Sequence, residues 1–166
     1  MTRYIVAVLV RNQFGCLNRV TSMFRRRQFN ISTLTVSETE TPEYSRITVT
    51  FEGDENGEQQ LINQLYKLPD VCYIEELSGE RSVNMELLLI KVADSEKRAE
   101  IFAAADKFGA ETSDISGGAI IFRLTDDSRY IEEFINVMRD FGILEICRTG
   151  LVSLQRGRST IRTINN

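Results

Sequence analysis

The sequence predicts an α+β protein made of two tandem ferredoxin-like βαββαβ domains. Its 166 residues are enough for two small domains of roughly 80 residues each. Apolar residues make up 42% of the chain and charged residues 27%, a composition typical of folded proteins. The order strand, helix, strand, strand, helix, strand occurs twice, with an offset of about 73 to 82 residues between corresponding elements.

The first copy opens with an apolar strand and an amphipathic helix. Residues 4–10 are apolar on both faces and rich in β-branched side chains, which predicts a central strand. From residue 16 to about residue 28, apolar side chains recur every three or four positions, as on one face of a helix. Residues 31–36 and 47–51 predict a β-hairpin whose second strand turns a polar face to solvent or to a wet interface.

The remaining elements repeat this order. Residues 53–57 break the chain and offer N-cap residues for a second helix that ends near Pro69, and residues 71–77 form the fourth strand. In the second copy the same patterns predict strands at residues 87–92, 111–115, 119–124 and 144–146, and helices that bury residues within 101–108 and 131–141.

These patterns place the domain boundaries. We predict an N-terminal domain at residues 1–78, a polar linker at residues 79–84, and a C-terminal domain at residues 85–166 that ends in a basic tail. The tail is basic because of Arg148, Arg156, Arg158 and Arg162. It either contacts an acidic partner surface or forms a frayed polar end, and the second interpretation is favoured.

Composition excludes several classes of function. The chain has no histidine, so it cannot supply a Ser-His-Asp or Cys-His catalytic pair or a histidine metal ligand. Its three cysteines are far apart and indicate apolar filler residues rather than a disulfide framework or a metal site. The net charge of -4 and the lack of an RNP1-like run argue against nucleic-acid binding. No apolar run reaches the roughly 18 residues of a membrane span, and we expect a cytoplasmic protein that binds no membrane.

A small four-stranded domain also needs a partner. Its sheet leaves two edges and one face without helices, and a core of this size is modest. We therefore predict a homodimer with two-fold symmetry, formed edge to edge or face to face.

The strongest candidate binding site is the loop between the first strand and the first helix. Backbone N–H groups at a helix start lack intrahelical partners and attract anions, and Gly15 lets a ligand approach the backbone closely. The alternative is a purely structural role, in which Gly15 forms a tight turn that Asn12 caps. Asn30, at the start of the second strand, either binds an ammonium group or a backbone edge across a dimer seam, or is a turn residue.

Seven motifs occur in order along the chain: Asn12-x-x-Gly15-x-Leu17-x-Arg19-Val20, Phe29-Asn30-Ile31-Ser32-Thr33-Leu34-Thr35-Val36, Ser45-Arg46, Gln64-Leu65-Tyr66-Lys67-Leu68, Leu89-Ile90-Lys91-Val92, Glu145-Ile146-x-Arg148-Thr149-Gly150 and Arg156-Gly157. As a set they resemble the ACT domain and C-terminal domain of the acetolactate synthase (acetohydroxyacid synthase) regulatory small subunit. The resemblance covers nearly the whole chain.

The resemblance implies a subunit without catalytic residues that binds and activates the catalytic large subunit. Thiamine diphosphate, Mg²⁺ and FAD are then expected on that partner, and none on this chain. Valine is implied as a feedback inhibitor held between two ACT domains of a dimer. The implied ligand residues are Asn12, Gln13, Phe14, Gly15, Cys16 and Leu17 of one chain with Asn30 and Ile31 of the other.

Two alternatives differ in class from this one. A free-standing amino-acid sensor would bind branched-chain amino acids without any effect on acetolactate synthesis. An acylphosphatase-type hydrolase would use Arg11 and Asn12 to position phosphate and water.

Overall fold

The computed structural model describes residues 2–26, 29–77 and 79–162. Contacts between residues divide these into two units. The first unit contains the described residues up to Val83 together with those from Leu151 onward, and the second is Asn84–Gly150.

The first unit is a four-stranded antiparallel sheet with two helices. Its elements are β1 (Thr2–Arg11), α1 (Cys16–Arg26), β2 (Ile31–Glu38), β3 (Tyr44–Gly53), α2 (Glu55–Leu65) and β4 (Val71–Glu76). The strand order is β2-β3-β1-β4, so the apolar strand β1 is central, as predicted. The end of the first helix was predicted at about residue 28, and residues 27 and 28 lie outside the described residues.

The second unit repeats this topology. Its elements are β5 (Ser82–Ala93), which starts at the end of the first unit, α3 (Arg98–Lys107), β6 (Glu111–Ser116), β7 (Ala119–Asp126), α4 (Ser128–Met138), a 3₁₀ turn (Arg139–Phe141) and β8 (Ile143–Arg148). The strand order β6-β7-β5-β8 corresponds to that of the first sheet. The predicted pair of βαββαβ units is confirmed.

Two helices begin where the sequence offers capping residues. The side chain of Asp54 accepts a hydrogen bond from Gly57 N at 2.7 Å, and α2 begins at the next residue. Asp127 accepts from Arg129 N and Tyr130 N in the same way before α4. Each cap satisfies amides that have no partner inside the helix.

The core of the first unit lies between the sheet and its helices. Val6, Val8 and Val10 point from β1 toward this side, where they pack with Phe24 of α1 and Leu61 of α2. The second unit has an equivalent core around Ile90 and Phe122.

The other face of the first sheet differs from the prediction. Thr48 and Thr50 of β3 were expected to face solvent or a wet interface, but they are only 4% and 0% exposed, so the solvent-facing alternative is wrong. Thr50 Oγ1 lies 2.6 Å from Thr33 Oγ1 in a hydrogen bond, and on the same face Ala7 and Leu9 form a second small core.

The C-terminal segment, which we define as residues 151–162, covers part of this face of the first sheet. It contains the short strand β9 (Val152–Gln155), and just after it Arg156 N donates to Arg81 O at 2.8 Å. Leu151, Ser153 and Ile161 are buried, and Ile161 packs with the second small core. The frayed-tail interpretation is therefore wrong for these residues, because their side chains are buried and Ile161 packs on the sheet face that carries no helix.

The predicted boundaries also differ from the contact units. Ser82 and Val83, assigned to a linker, lie in β5. The C-terminal segment, assigned to the second domain, groups with the first unit.

Among the described residues, no helix combines the length and apolarity that a membrane crossing needs.

Candidate functional site

The loop of residues 12–17 joins the end of β1 to the first turn of α1. Gly15 has φ +77°, a left-handed conformation that glycine adopts without the cost other residues pay. The Phe14 side chain is fully exposed, so its ring does not close the loop. Together with Leu17, these residues line a surface depression.

The loop presents free amide donors. Cys16 N donates to Gln13 O at 3.2 Å, and Gln13 N donates to Arg11 O at 2.9 Å. Within the described chain, the amides of Phe14, Gly15, Leu17 and Asn18 find no acceptor. Unpaired N–H groups at the positive end of a helix dipole favour a carboxylate or phosphate.

A cation lies beside these amides. An added Cβ at Gly15 would come within 3.2 Å of Arg19 Nη1, and Arg19 Nη2 donates to Phe14 O at 3.4 Å. The same guanidinium pairs with Asp70 Oδ2 at 2.6 Å, and Asp70 is buried. Asp70 thus fixes the Arg19 guanidinium against the loop. The positive charge of Arg19, partly offset by Asp70, adds to that of the helix terminus.

Asn12 connects the loop to the β2–β3 hairpin. Its amide nitrogen donates to Glu38 Oε1 at 3.2 Å and to Pro42 O at 3.1 Å. Its backbone N–H donates to Glu43 O at 2.8 Å. With both side-chain hydrogens engaged, Asn12 offers a ligand only its carbonyl oxygen, which accepts from an ammonium group.

Cys16 faces away from the loop. Its side chain is 4% exposed and belongs to the core between sheet and helices. Burial, with Asp70 nearby, raises the pKa of the Cys16 thiol, so it is not a reactive thiolate. The filler interpretation is correct for Cys16, whereas Cys147 is exposed.

Asn30 and Ile31 lie at the opposite end of the sheet from the loop. Ile31 is in register with Phe51, which pairs with Tyr4, whereas the loop follows Arg11. Seven residues of strand separate Tyr4 from Arg11, a distance of about 24 Å at 3.4 Å per residue. One chain therefore cannot place Asn30 and Asn12 on the same small ligand.

The sequence reasoning missed Arg19 as a site residue, although it belongs to the motif quoted above. Its position in the sequence could have identified it, because an arginine four residues after Gly15 lies one helical turn from the loop. The hydrolase alternative gains no support, since both amide hydrogens of Asn12 already have acceptors. The described residues contain no group of three side chains suited to hold a metal ion.

Family models match both halves of the chain. Residues 6–73 match the AHAS small subunit-like ACT domain, and residues 85–157 match the model described as the small subunit of acetolactate synthase.

Individual relatives agree with these matches. A probable acetolactate synthase small subunit of Archaeoglobus fulgidus is 44% identical over 93% of this chain and 98% of its own length. The acetolactate synthase small subunit of Bacillus subtilis is 40% identical over 92% of this chain and 90% of its own. A crystal structure of the acetolactate synthase small subunit from Thermotoga maritima superposes with a TM-score of 0.88 at 35% identity, covering 96% of this chain and all of that one.

Proposed function

The chain belongs to the family of acetolactate synthase small subunits, and on that premise we propose that it activates the large catalytic subunit and makes it sensitive to valine. The enzyme's thiamine diphosphate, Mg²⁺ and FAD would be held by that partner, in the cytoplasm. The observation that best supports an effector site is the set of free amides at the start of α1, with Arg19 beside them.

These groups match the carboxylate end of an amino acid. The amides of Phe14, Gly15 and Leu17 would donate to the carboxylate, and Arg19 would supply a positive charge beside it. The carbonyl oxygen of Asn12 would accept from the ammonium group. The loop therefore has complementary groups for both charged ends of valine.

The rest of the site would come from a second copy of the chain. Strand β2 is at the edge of its sheet, and two such edges paired antiparallel across a two-fold axis would form one continuous sheet. This pairing sets the first residues of one β2 beside the last residues of the other. Glu38 ends β2 and binds Asn12, so Asn30 and Ile31 of one copy would approach the loop of the other.

Reconstitution with the large subunit of the same organism tests this function. Adding the chain should raise the rate of acetolactate formation, and valine should reverse part of that gain. Valine binding without any effect on the rate would favour a free-standing sensor instead. An unchanged rate with no valine binding would contradict both.

The variant Gly15→Asp tests where valine binds. It puts a carboxylate where the ligand carboxylate would lie and imposes a side chain on a left-handed residue. We expect activation to persist and at least tenfold weaker inhibition by valine. The matched control is Gly109→Asp, which also has positive φ but meets no neighbouring atom within 4 Å. Unchanged inhibition in Gly15→Asp would contradict the placement.

A further inference from the structure

A cavity on the helix-free face of the first sheet has no role in the function proposed above. Its volume is about 420 Å³, within the usual range for small-molecule sites. It shares no lining residue with the depression at residues 12–17. Strands of the sheet form one side of the cavity, and the C-terminal segment forms the other. Its lining includes Leu9, Arg46, Glu75, Leu154, Gln155 and Arg162.

Buried polar atoms without hydrogen-bond partners concentrate in this cavity. Four such side-chain atoms occur among the described residues, and three belong to its lining: Glu75 Oε1, Gln155 Oε1 and Arg162 Nη2. The Glu75 side chain is only 3% exposed. Since folded proteins satisfy nearly all buried polar atoms, the concentration indicates a missing occupant.

The charged side chains that line the cavity also form ion pairs with one another. Arg46 donates to Ser153 O at 2.9 Å and lies 3.6 Å from Glu75 Oε2. Burial raises the pKa of Glu75 and lowers that of Arg46, so this pair is incompletely compensated. Arg162 Nη2 lies 3.5 Å from Glu40 Oε1, an ion pair without a hydrogen bond, and the guanidinium lies 5.0 Å above the Tyr44 ring.

The open groups define the chemistry of the occupant. Two oxygen acceptors, one of them on a carboxylate, match an ammonium group, and a guanidinium donor matches a carboxylate. Leu9, Leu154 and Ile161 supply apolar wall, which matches an aliphatic side chain. We propose that the cavity binds a free aliphatic α-amino acid, with its ammonium on Glu75 and Gln155 and its carboxylate on Arg162.

Calorimetric titration of the full-length Gly15→Asp chain tests this site separately from the loop. The probes are L-valine, L-leucine and L-isoleucine, each compared with its decarboxylated amine and with its deaminated acid. We expect saturable binding of at least one of these amino acids at one site per chain. The amine and the acid should each bind at least tenfold more weakly, because each lacks one charged end.

The variant Gln155→Met identifies the cavity as the place of binding. It removes a buried oxygen that has no partner, so thermal stability should be retained or raised, while amino-acid binding should weaken at least tenfold. The matched control is Gln60→Met on the exposed face of α2, which should bind as the parent does. Glu75→Gln, which keeps the shape but removes the charge, should weaken binding in the same way.

Three results would overturn the proposal. The first is that none of the three amino acids binds saturably, which would leave water as the occupant of the cavity. Another is equal binding of the amino acid and its amine. The last is unchanged binding in Gln155→Met. None of these results concerns the valine response of the loop, which the enzyme assay measures.

Discussion

At the scale of single residues, near neighbours in the chain form the loop of residues 12–17, whereas Asp70, far along the chain, positions Arg19. Gly15 and Asn12 could be predicted because a loop between a strand and a helix presents amides whatever surrounds it. Arg19 was missed because its orientation depends on Asp70, 51 positions later. The burial of Glu75 and Arg46 depends likewise on residues about 80 to 110 positions later, in a segment that gives no periodic signal.

Glu58 on α2 makes stability depend on pH. Burial, and to a lesser extent Glu76 and Glu55, raise its pKa from 4.5 to about 7, and its Oε1 meets no partner among the described residues. The folded state therefore keeps a proton that the unfolded state loses as the pH rises from about 4.5 to 7. Stability falls through that range and then levels off.

Glu58→Gln removes the charge and should therefore remove the fall in stability between about pH 4.5 and 7. At pH 8 we expect the free energy of unfolding to rise by about 2 to 3 kcal/mol, with little change at pH 4. Urea unfolding at the two pH values measures this change in the free energy of unfolding. Glu133→Gln, exposed on α4 and not among the charges that act on Glu58, is the control and should change stability little. An equal gain at both pH values would show that charge is not the cause.

At the scale of elements, the strands and helices of both copies followed from periodicity and capping residues. The C-terminal segment did not, because its buried apolar residues Leu151 and Ile161 are ten positions apart, and Val152 and Leu154 between them are exposed. Their burial depends on the helix-free face of a sheet formed by residues far earlier in the chain. From the sequence alone, the polar stretch of residues 155–160 is therefore indistinguishable from a loose tail.

Ile161 provides the test of that packing. It is 7% exposed and contacts the small core of Ala7, Leu9 and Leu77. We expect Ile161→Ala to lower the free energy of unfolding by about 2 kcal/mol, measured by urea unfolding. Leu144→Ala, at a site 58% exposed, should lower it by less than about 0.5 kcal/mol. Equal effects would mean that the segment does not pack on the sheet in solution.

At the scale of the whole molecule, the proposed dimer depends on the free edge of β2. Val36 is 42% exposed on that strand, and a lysine there would place charge on the paired edges. We expect Val36→Lys to shift the chain from dimer toward monomer in sedimentation velocity. Val137→Lys, at a position 38% exposed on α4, should remain dimeric, and a dimeric Val36→Lys would exclude the β2 edge as the interface.

The central claim is that one chain supplies the amide loop while its partner supplies Asn30. Gly15→Asp and Asn30→Ala should each abolish the valine response as homodimers. A mixed dimer of the two keeps one intact site, built from the normal loop of one chain and the normal Asn30 of the other. The decisive measurement is the valine inhibition of acetolactate synthase reconstituted with the purified mixed dimer. Partial recovery of inhibition is the predicted result, and a mixed dimer as insensitive as both parents would contradict the account.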